Sequence, residues 1–328
     1  MKKLVSTLRR LAAAGVLVAL PHAARAADKI TVLTSWYAQA EHGGFYQAKA
    51  TGLYDAEGLE VTIKMGGPQV NGLQLLLAGE ADVLLGYDFQ TINAVAQGLP
   101  VVAIGASFQK DLQGILTHAD VQGLDGLSGK TILVSTPGRT SFWPWLKAKY
   151  GLSDDQVRPY TFSLQPFLAD PQAVQQAFPT SEPFPLERDG VAHHFYLFAD
   201  AGYPPYGSSW TTRADVIATK AGALRRFVYA TALGWKSYLA DPSAGNKLIQ
   251  ADNPKMSDDQ LAFAIRRLEE LRVVTGGDAA TMGIGVITED RFRKTYDYMV
   301  AAGLQKPGVD WKKAIDTSFV TNSPVLPN

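Results

Sequence analysis

The sequence predicts an α/β fold divided into two units, each built around a mainly parallel sheet. Short apolar runs of the strand type alternate with helical patterns of about ten residues, as βαβ units do. The chain has 328 residues, a length that usually divides between two hydrophobic cores. Gly202-Tyr203-Pro204-Pro205-Tyr206-Gly207 then breaks the alternation with a density of Pro and Gly that suits a connection between units.

The first segment stands apart. Lys2, Lys3, Arg9 and Arg10 precede an apolar stretch from Leu11 to Leu20 that is too short to span a bilayer, and Ala24-Arg25-Ala26 is an A-x-A cleavage site. Residues 1–26 therefore read as a signal peptide cleaved after Ala26, with export to the periplasm by the general secretory route. Arg9-Arg10 raises the twin-arginine route, but Leu11-Ala12-Ala13 fits it poorly. Removing this segment takes five of the 31 basic residues and none of the 31 acidic ones, so the mature net charge is about −5. Nucleic acid and anionic membrane surfaces need a basic footprint and are not expected partners. With no cysteine, thiol catalysis, thiolate metal sites and disulfides are excluded.

Ile30 to Thr34 is the first strand. Ser35-Trp36-Tyr37-Ala38-Gln39-Ala40-Glu41-His42 leads from it into a helix that starts near Gly43 or Gly44 and stops at Gly52. In open α/β sheets such a junction faces the ligand crevice, though a core Trp and Tyr beside an ordinary loop would look the same. Glu60 to Lys64 is the second strand, followed by Gly66-Gly67-Pro68-Gln69 and a helix with Leu73, Leu76 and Leu77 on one face. Val83 to Gly86 is the third strand. Tyr87-Asp88 leads from it into a helix over Phe89 to Gln97, and Val101 to Phe108 and Gly114 to Thr117 are two more strands.

The second unit begins near His118. Thr131 to Val134 is a strand of the buried type, and Ser135-Thr136-Pro137-Gly138-Arg139-Thr140-Ser141 opens a helix bearing Phe142, Trp143, Leu146 and Tyr150. Tyr160 to Phe162, Ala173 to Phe178 and Phe195 to Phe198 supply its remaining elements. From Ser208 the pattern becomes helical, with Leu224, Phe227, Val228, Thr231, Trp235 and Tyr238 on one face. Ser257 with Gln260 reads as a capping box, and Thr288-Glu289-Asp290 opens a helix stopped by Gly303.

Few residues suggest chemistry. His193-His194 has no carboxylate at zinc-ligand spacing and no H-E-x-x-H occurs, so no metal is expected. Ser135 to Ser141 lacks the second glycine and the Lys-Ser or Lys-Thr of a nucleotide phosphate loop; helix capping and an anion-binding turn both remain open. Asp88 suits an N-cap as well as a ligand contact. No Gly-x-Ser-x-Gly occurs and no Ser, His and Asp set stands out, so a hydrolase cannot be built.

Trp36, Gln39 and His42 stand at i, i+3 and i+6 after the first strand, followed by Gly44-x-Tyr46-x-Ala48 and Gly52-Leu53-Tyr54. This set resembles the substrate-binding proteins of bacterial ABC transporters, in the group of thiamine-pyrimidine, riboflavin, sulfonate, taurine and nitrate binders. It is most similar to the thiamine-pyrimidine binders, which carry W-x-x-N-x-x-H. Here Gln39 replaces the Asn, and Ser35 replaces an Asp that often precedes the Trp. Gly66-Gly67, the segment from Leu75 to Asp82 and Thr180-Ser181-Glu182-Pro183 extend the resemblance over the mature chain.

The resemblance implies a two-lobed periplasmic-binding-protein fold of type II. Lobe 1 would comprise residues 27–117 and 205–328 and lobe 2 residues 118–204, with crossings near Leu116 to His118 and Tyr203 to Gly207. It implies a monomer with no enzyme activity and no cofactor. Closure of the cleft would capture a small planar, pyrimidine-like molecule for an ABC permease and its ATPase at the inner membrane. An alkanesulfonate, taurine or another small anion is the alternative, favoured by Arg139 and the helix N-termini. A pyrimidine-synthesising enzyme of fungi shares the fold, but carries a cysteine-rich motif that is missing here. By the same resemblance Trp36 and Tyr37 would stack on the ligand, and Gln39, His42, Asp88 and Glu182 would hydrogen-bond it. Gly67 and Tyr87 would line the cleft, the Thr136 to Thr140 turn with Gly138 and Arg139 would close from the other lobe, and Trp143 would form an opposite wall.

Overall fold

A computed structural model describes residues 26–327, so the expected leader lies outside the described residues except for Ala26. Ten strands run in chain order as β1 (Asp28–Leu33), β2 (Leu59–Lys64), β3 (Val83–Gly86), β4 (Val101–Phe108), β5 (Gly114–His118), β6 (Thr131–Val134), β7 (Val157–Pro159), β8 (Ala173–Ala177), β9 (His193–Leu197) and β10 (Gly207–Arg213). They form two five-stranded sheets, ordered β2-β1-β3-β10-β4 and β7-β6-β8-β5-β9.

Both sheets are mixed, where a mainly parallel arrangement was expected. β1 pairs in parallel with β2 and β3, whereas β10 runs antiparallel to β3 and β4. In the second sheet β6 is parallel to β7 and β8, and β5 is antiparallel to β8 and β9. The cause is the same in each. A strand arriving from the other sheet enters the interior against the direction of the βαβ units.

Two segments cross between the sheets, residues 109–113 and 198–206. Leu116 to His118, where a crossing was expected, belongs to β5 of the second sheet. β10 itself was expected to be the start of the helical region. Its sequence is rich in hydroxyls, which reads as loop, yet Ser209, Thr211 and Thr212 are all buried. Each finds a partner: Ser209 Oγ donates to Asp88, Thr211 Oγ1 lies 3.0 Å from Thr91 Oγ1, and Thr212 Oγ1 donates to the Asp82 carbonyl at 2.6 Å. Tyr160 to Phe162, expected to supply an element of the second unit, follows β7 as irregular chain, with Phe162 in the left-handed region at φ 61°.

The helices after β10 brace the first strand-to-helix junction. The helix Gly43–Ala50 lies across the long helix Ala214–Ala240 at a distance that excludes side chains. A Cβ on Gly44 would sit 2.3 Å from the Trp235 ring, and one on Gly234 would sit 2.1 Å from the Gly44 carbonyl oxygen. Gln47 locks the crossing: its Nε2 donates to Ser237 Oγ (3.0 Å) and to the Asp241 carbonyl (2.9 Å), while its Oε1 accepts from Gly245 N–H (2.7 Å). Trp210 and Trp235 are fully buried in the core beneath. Among the described residues no helix is long and apolar enough to cross a membrane.

Candidate functional site

The site begins where β1 ends. Thr34 Oγ1 donates to the Trp36 carbonyl (2.6 Å) and accepts from Gly66 N–H (3.0 Å), and Asn253 Nδ2 holds the Ala38 carbonyl at 2.9 Å. The loop from Trp36 to His42 is therefore fixed by the β2 turn on one side and by the C-terminal helices on the other. Trp36 projects toward the second half of the molecule and stacks on Tyr160, with ring centres 5.8 Å apart and planes 14° from parallel. Phe162 meets Trp36 edge-on at 5.9 Å and Tyr37 at 5.6 Å. Rings from both halves thus form one aromatic cluster, an arrangement that favours flat ligands.

Behind this cluster lies a narrow cavity between the two sheets. The first half supplies Trp36, Gln39, Glu41, His42 and Tyr87 to its walls. Phe108 comes from the end of β4, Asp111 from the first crossing, Gln176 and Phe178 from β8 and the residue after it, and Ser208 from β10. Gln39 Oε1, His42 Nδ1 and Ser208 Oγ are buried without a hydrogen-bond partner. Buried polar atoms are almost always paired, so unpaired ones on a cavity wall mark groups that a bound molecule can satisfy.

Burial dominates the electrostatics. It pushes the His42 imidazole down to about 3, partly offset by a hydrogen bond to the Tyr37 backbone, so the ring is neutral at pH 7. It pushes Glu41 up to about 7, opposed by a hydrogen bond from Thr180 and reinforced by the charge of Glu182. Asp111 is raised to about 7 as well, although Gln113 donates to it from its backbone N–H (2.7 Å) and its side chain (3.3 Å).

The two halves meet around the cavity. Thr180 Oγ1 donates to Glu41 Oε1, Gln260 Nε2 donates to the Thr180 carbonyl (3.1 Å), and Thr136 N–H donates to the Pro68 carbonyl (2.8 Å). Gln90 Nε2 reaches Thr140 Oγ1 at 2.5 Å on the same side. The structure is closed over the cavity.

The family model described as NMT1/THI5 like matches residues 39–245. The chain belongs to this family. A relative, the riboflavin-binding protein RibY of Chloroflexus aurantiacus, is 26% identical over 94% of this chain and 91% of its own length. The 4-amino-5-hydroxymethyl-2-methylpyrimidine phosphate synthase of Schizosaccharomyces pombe is 32% identical over a shorter stretch, 27% of this chain and 26% of that protein. Among solved structures, the alkanesulfonate-binding protein SsuA from Xanthomonas axonopodis pv. citri, bound to MOPS, is similar with a TM-score of 0.63. It is 14% identical, over 88% of this chain and 98% of that one, so the likeness shows the fold, which is that of periplasmic binding proteins.

Within this NMT1/THI5-like fold all but three of the residues singled out in the sequence fall into three groups. Trp36, Gln39, His42 and Tyr87 line the central cavity. Tyr37 belongs to the aromatic cluster, with Gly67 beneath its ring, where a Cβ would stand 3.3 Å from it. Glu182 accepts from Tyr160 OH (2.5 Å) and Phe178 N–H (2.9 Å), so it sets the ring that faces Trp36. Thr136 and Thr140 border a neighbouring cavity, and Gly138 is buried against Gln176.

Three residues sit elsewhere. Asp88 is fully buried, accepting from Tyr206 N–H (2.8 Å) and Ser209 Oγ, and so ties the second crossing to the first sheet. Arg139 is exposed and lines neither cavity. Trp143 is core, its Nε1 donating to Asp154 Oδ1 at 2.7 Å. Conversely Glu41, Asp111, Tyr160, Phe162, Gln176 and Ser208 were not singled out. Glu41 could have been, because it lies between Gln39 and His42 in the same turn. Nothing local in the sequence marks the others.

Proposed function

We propose that this protein is an exported receptor that captures a small planar nitrogen heterocycle, of the aminopyrimidine type, between its two halves. It would then present the closed form to an ABC permease and its ATPase at the inner membrane. The observation that carries this is an excess of hydrogen-bond acceptors beside stacking rings. Gln39 Oε1 and His42 Nδ1 lack donors, Ser208 Oγ is unpaired beside them, and the Glu41 and Asp111 carboxyls, bonded to Thr180 and Gln113, line the same cavity. A ligand suited to these walls offers N–H groups at its edge and a flat face to Trp36. A sulfonate offers only acceptors, and among the described residues no lysine or arginine lines the central cavity.

A ligand touching both halves favours the closed state only by the contacts that closing adds. Here those contacts come from Gln176 and Phe178 on one side and from Trp36 to His42 on the other. The relationship to a riboflavin-binding protein and to a pyrimidine phosphate synthase agrees with a nitrogen heterocycle. The absence of cysteine from the chain favours a receptor over that synthase activity.

Isothermal titration of the protein with 4-amino-5-hydroxymethyl-2-methylpyrimidine and with ethanesulfonate tests this reading. Binding of the pyrimidine, weakened about tenfold or more in Trp36→Ala, is the expected result. Binding of ethanesulfonate alone would overturn it, and turnover of the bound pyrimidine would restore the enzyme alternative.

A further inference from the structure

We propose that the ligand is more than a ring: it carries an uncharged, hydroxyl-bearing chain, held in a second compartment beside the central cavity. This rests on the heterocycle reading above. The second compartment lies beside the first and is the roomier of the two. Ser35 and Tyr87, which hydrogen-bond one another, line both cavities, so the two spaces are neighbours across a single pair of side chains.

The lining specifies what the chain can be. Leu73, Leu84 and Leu85 form an apolar floor from the first half, and Gln90, Thr136 and Thr140 add amide and hydroxyl groups. No Asp, Glu, Lys or Arg is among the described residues that line it. A phosphate or carboxylate here would be desolvated without a counter-charge, which is strongly unfavourable, whereas a hydroxylated carbon chain would match both the leucines and the polar side.

The compartment is also closed by both halves. Thr136 N–H donates to the Pro68 carbonyl at 2.8 Å, and Gln90 Nε2 donates to Thr140 Oγ1 at 2.5 Å. A chain lying beneath these bonds therefore touches both halves and adds to the contacts that closing gains. A bare ring in the central cavity would leave this space unused.

The test compares two ligands on the full protein: 4-amino-2,5-dimethylpyrimidine, and the same ring with a hydroxybutyl chain in place of the C5 methyl group. The chain should tighten binding about tenfold by removing its methylene groups from water. Leu73→Trp and Val70→Trp, two half-buried positions that fill the compartment, should each abolish that gain while leaving affinity for the dimethyl ligand unchanged. Equal affinity of the parent protein for both ligands, or a gain that survives both variants, would overturn the second compartment and leave the heterocycle reading standing. Failure of both ligands to bind the parent protein would overturn the heterocycle reading, and this inference with it.

Discussion

Glu41 sits between the halves with its carboxyl on Thr180, and its proton is the residue-scale quantity that links folding to pH. Burial raises Glu41 and Asp111 to about 7 and Asp88 to about 6, above the ordinary carboxyl range. The folded protein therefore holds protons that the unfolded chain has already released. Stability from these groups is fully present below the ordinary carboxyl pKa and is lost as pH rises from there through 6 to 7. His42, lowered to about 3, acts in the opposite sense, but only below the ordinary histidine value of 6.5. Between about pH 6.5 and pH 8 the carboxyls decide, and each group near 7 removes about 1 kcal/mol or less of stability. Thermal denaturation should show Tm falling across this range, with a shallower fall in Glu41→Gln, whose amide oxygen can still accept from Thr180. A Tm that rises would refute the assignment. Trp36, Gln39 and His42 were legible because one short turn places them together after a strand. Asp88 was legible as structural only as a helix cap, whereas the cap position is Tyr87 and Asp88 instead holds Tyr206; that partner, like Asp154 for Trp143, is set by tertiary contacts. The part played by Glu41 depends on Thr180, which lies 139 residues away in sequence.

Among the elements, the crossing of the helices Gly43–Ala50 and Ala214–Ala240 fixes the direction of the binding loop. Gly234→Ala would force a Cβ to within 2.1 Å of the Gly44 carbonyl oxygen, so the helices must part. Overpacking of this kind costs about 1–3 kcal/mol, and urea denaturation should show it as a lower midpoint. Gly222→Ala on the same long helix is the control: it meets nothing within 4 Å and should stabilise by about 0.5–1 kcal/mol. Equal effects of the two substitutions would show that propensity, not packing, governs Gly234. The strands most legible in the sequence, β3, β4 and β6, are continuous apolar runs whose ends coincide with the expected ones. β10 was missed because its buried side chains are mostly hydroxyls, and hydroxyls read as loop until their partners, Asp82 just before β3 and Asp88 and Thr91 in the helix Asp88–Ala96, are known. The N-cap signals held, Ser257 accepting from Gln260 N–H and Thr288 from Arg291 N–H, but the Ser257–Gln260 capping box is only half formed, because the Gln260 side chain donates to the Thr180 carbonyl instead.

At the scale of the whole molecule, the alternation of strands and helices revealed two α/β units, while the antiparallel entry of β5 and β10 depended on which sheet each strand joins. That entry governs the order in which the molecule can assemble. β5 to β9 come from one unbroken stretch, so the second sheet holds all its strands once β9 has been made. The first sheet has a gap between β3 and β4 that only β10 fills, and the Tyr206 to Asp88 bond beside it spans 118 residues. Closing so long a loop is slow and leaves two strand edges unpaired in the meantime. Pulse-labelled hydrogen exchange during refolding should protect amides of β6 and β8 before those of β3 and β4; the reverse order would refute this. The half that begins the chain is then the last to become complete, and a nascent molecule carries its unfinished sheet until the return strand arrives.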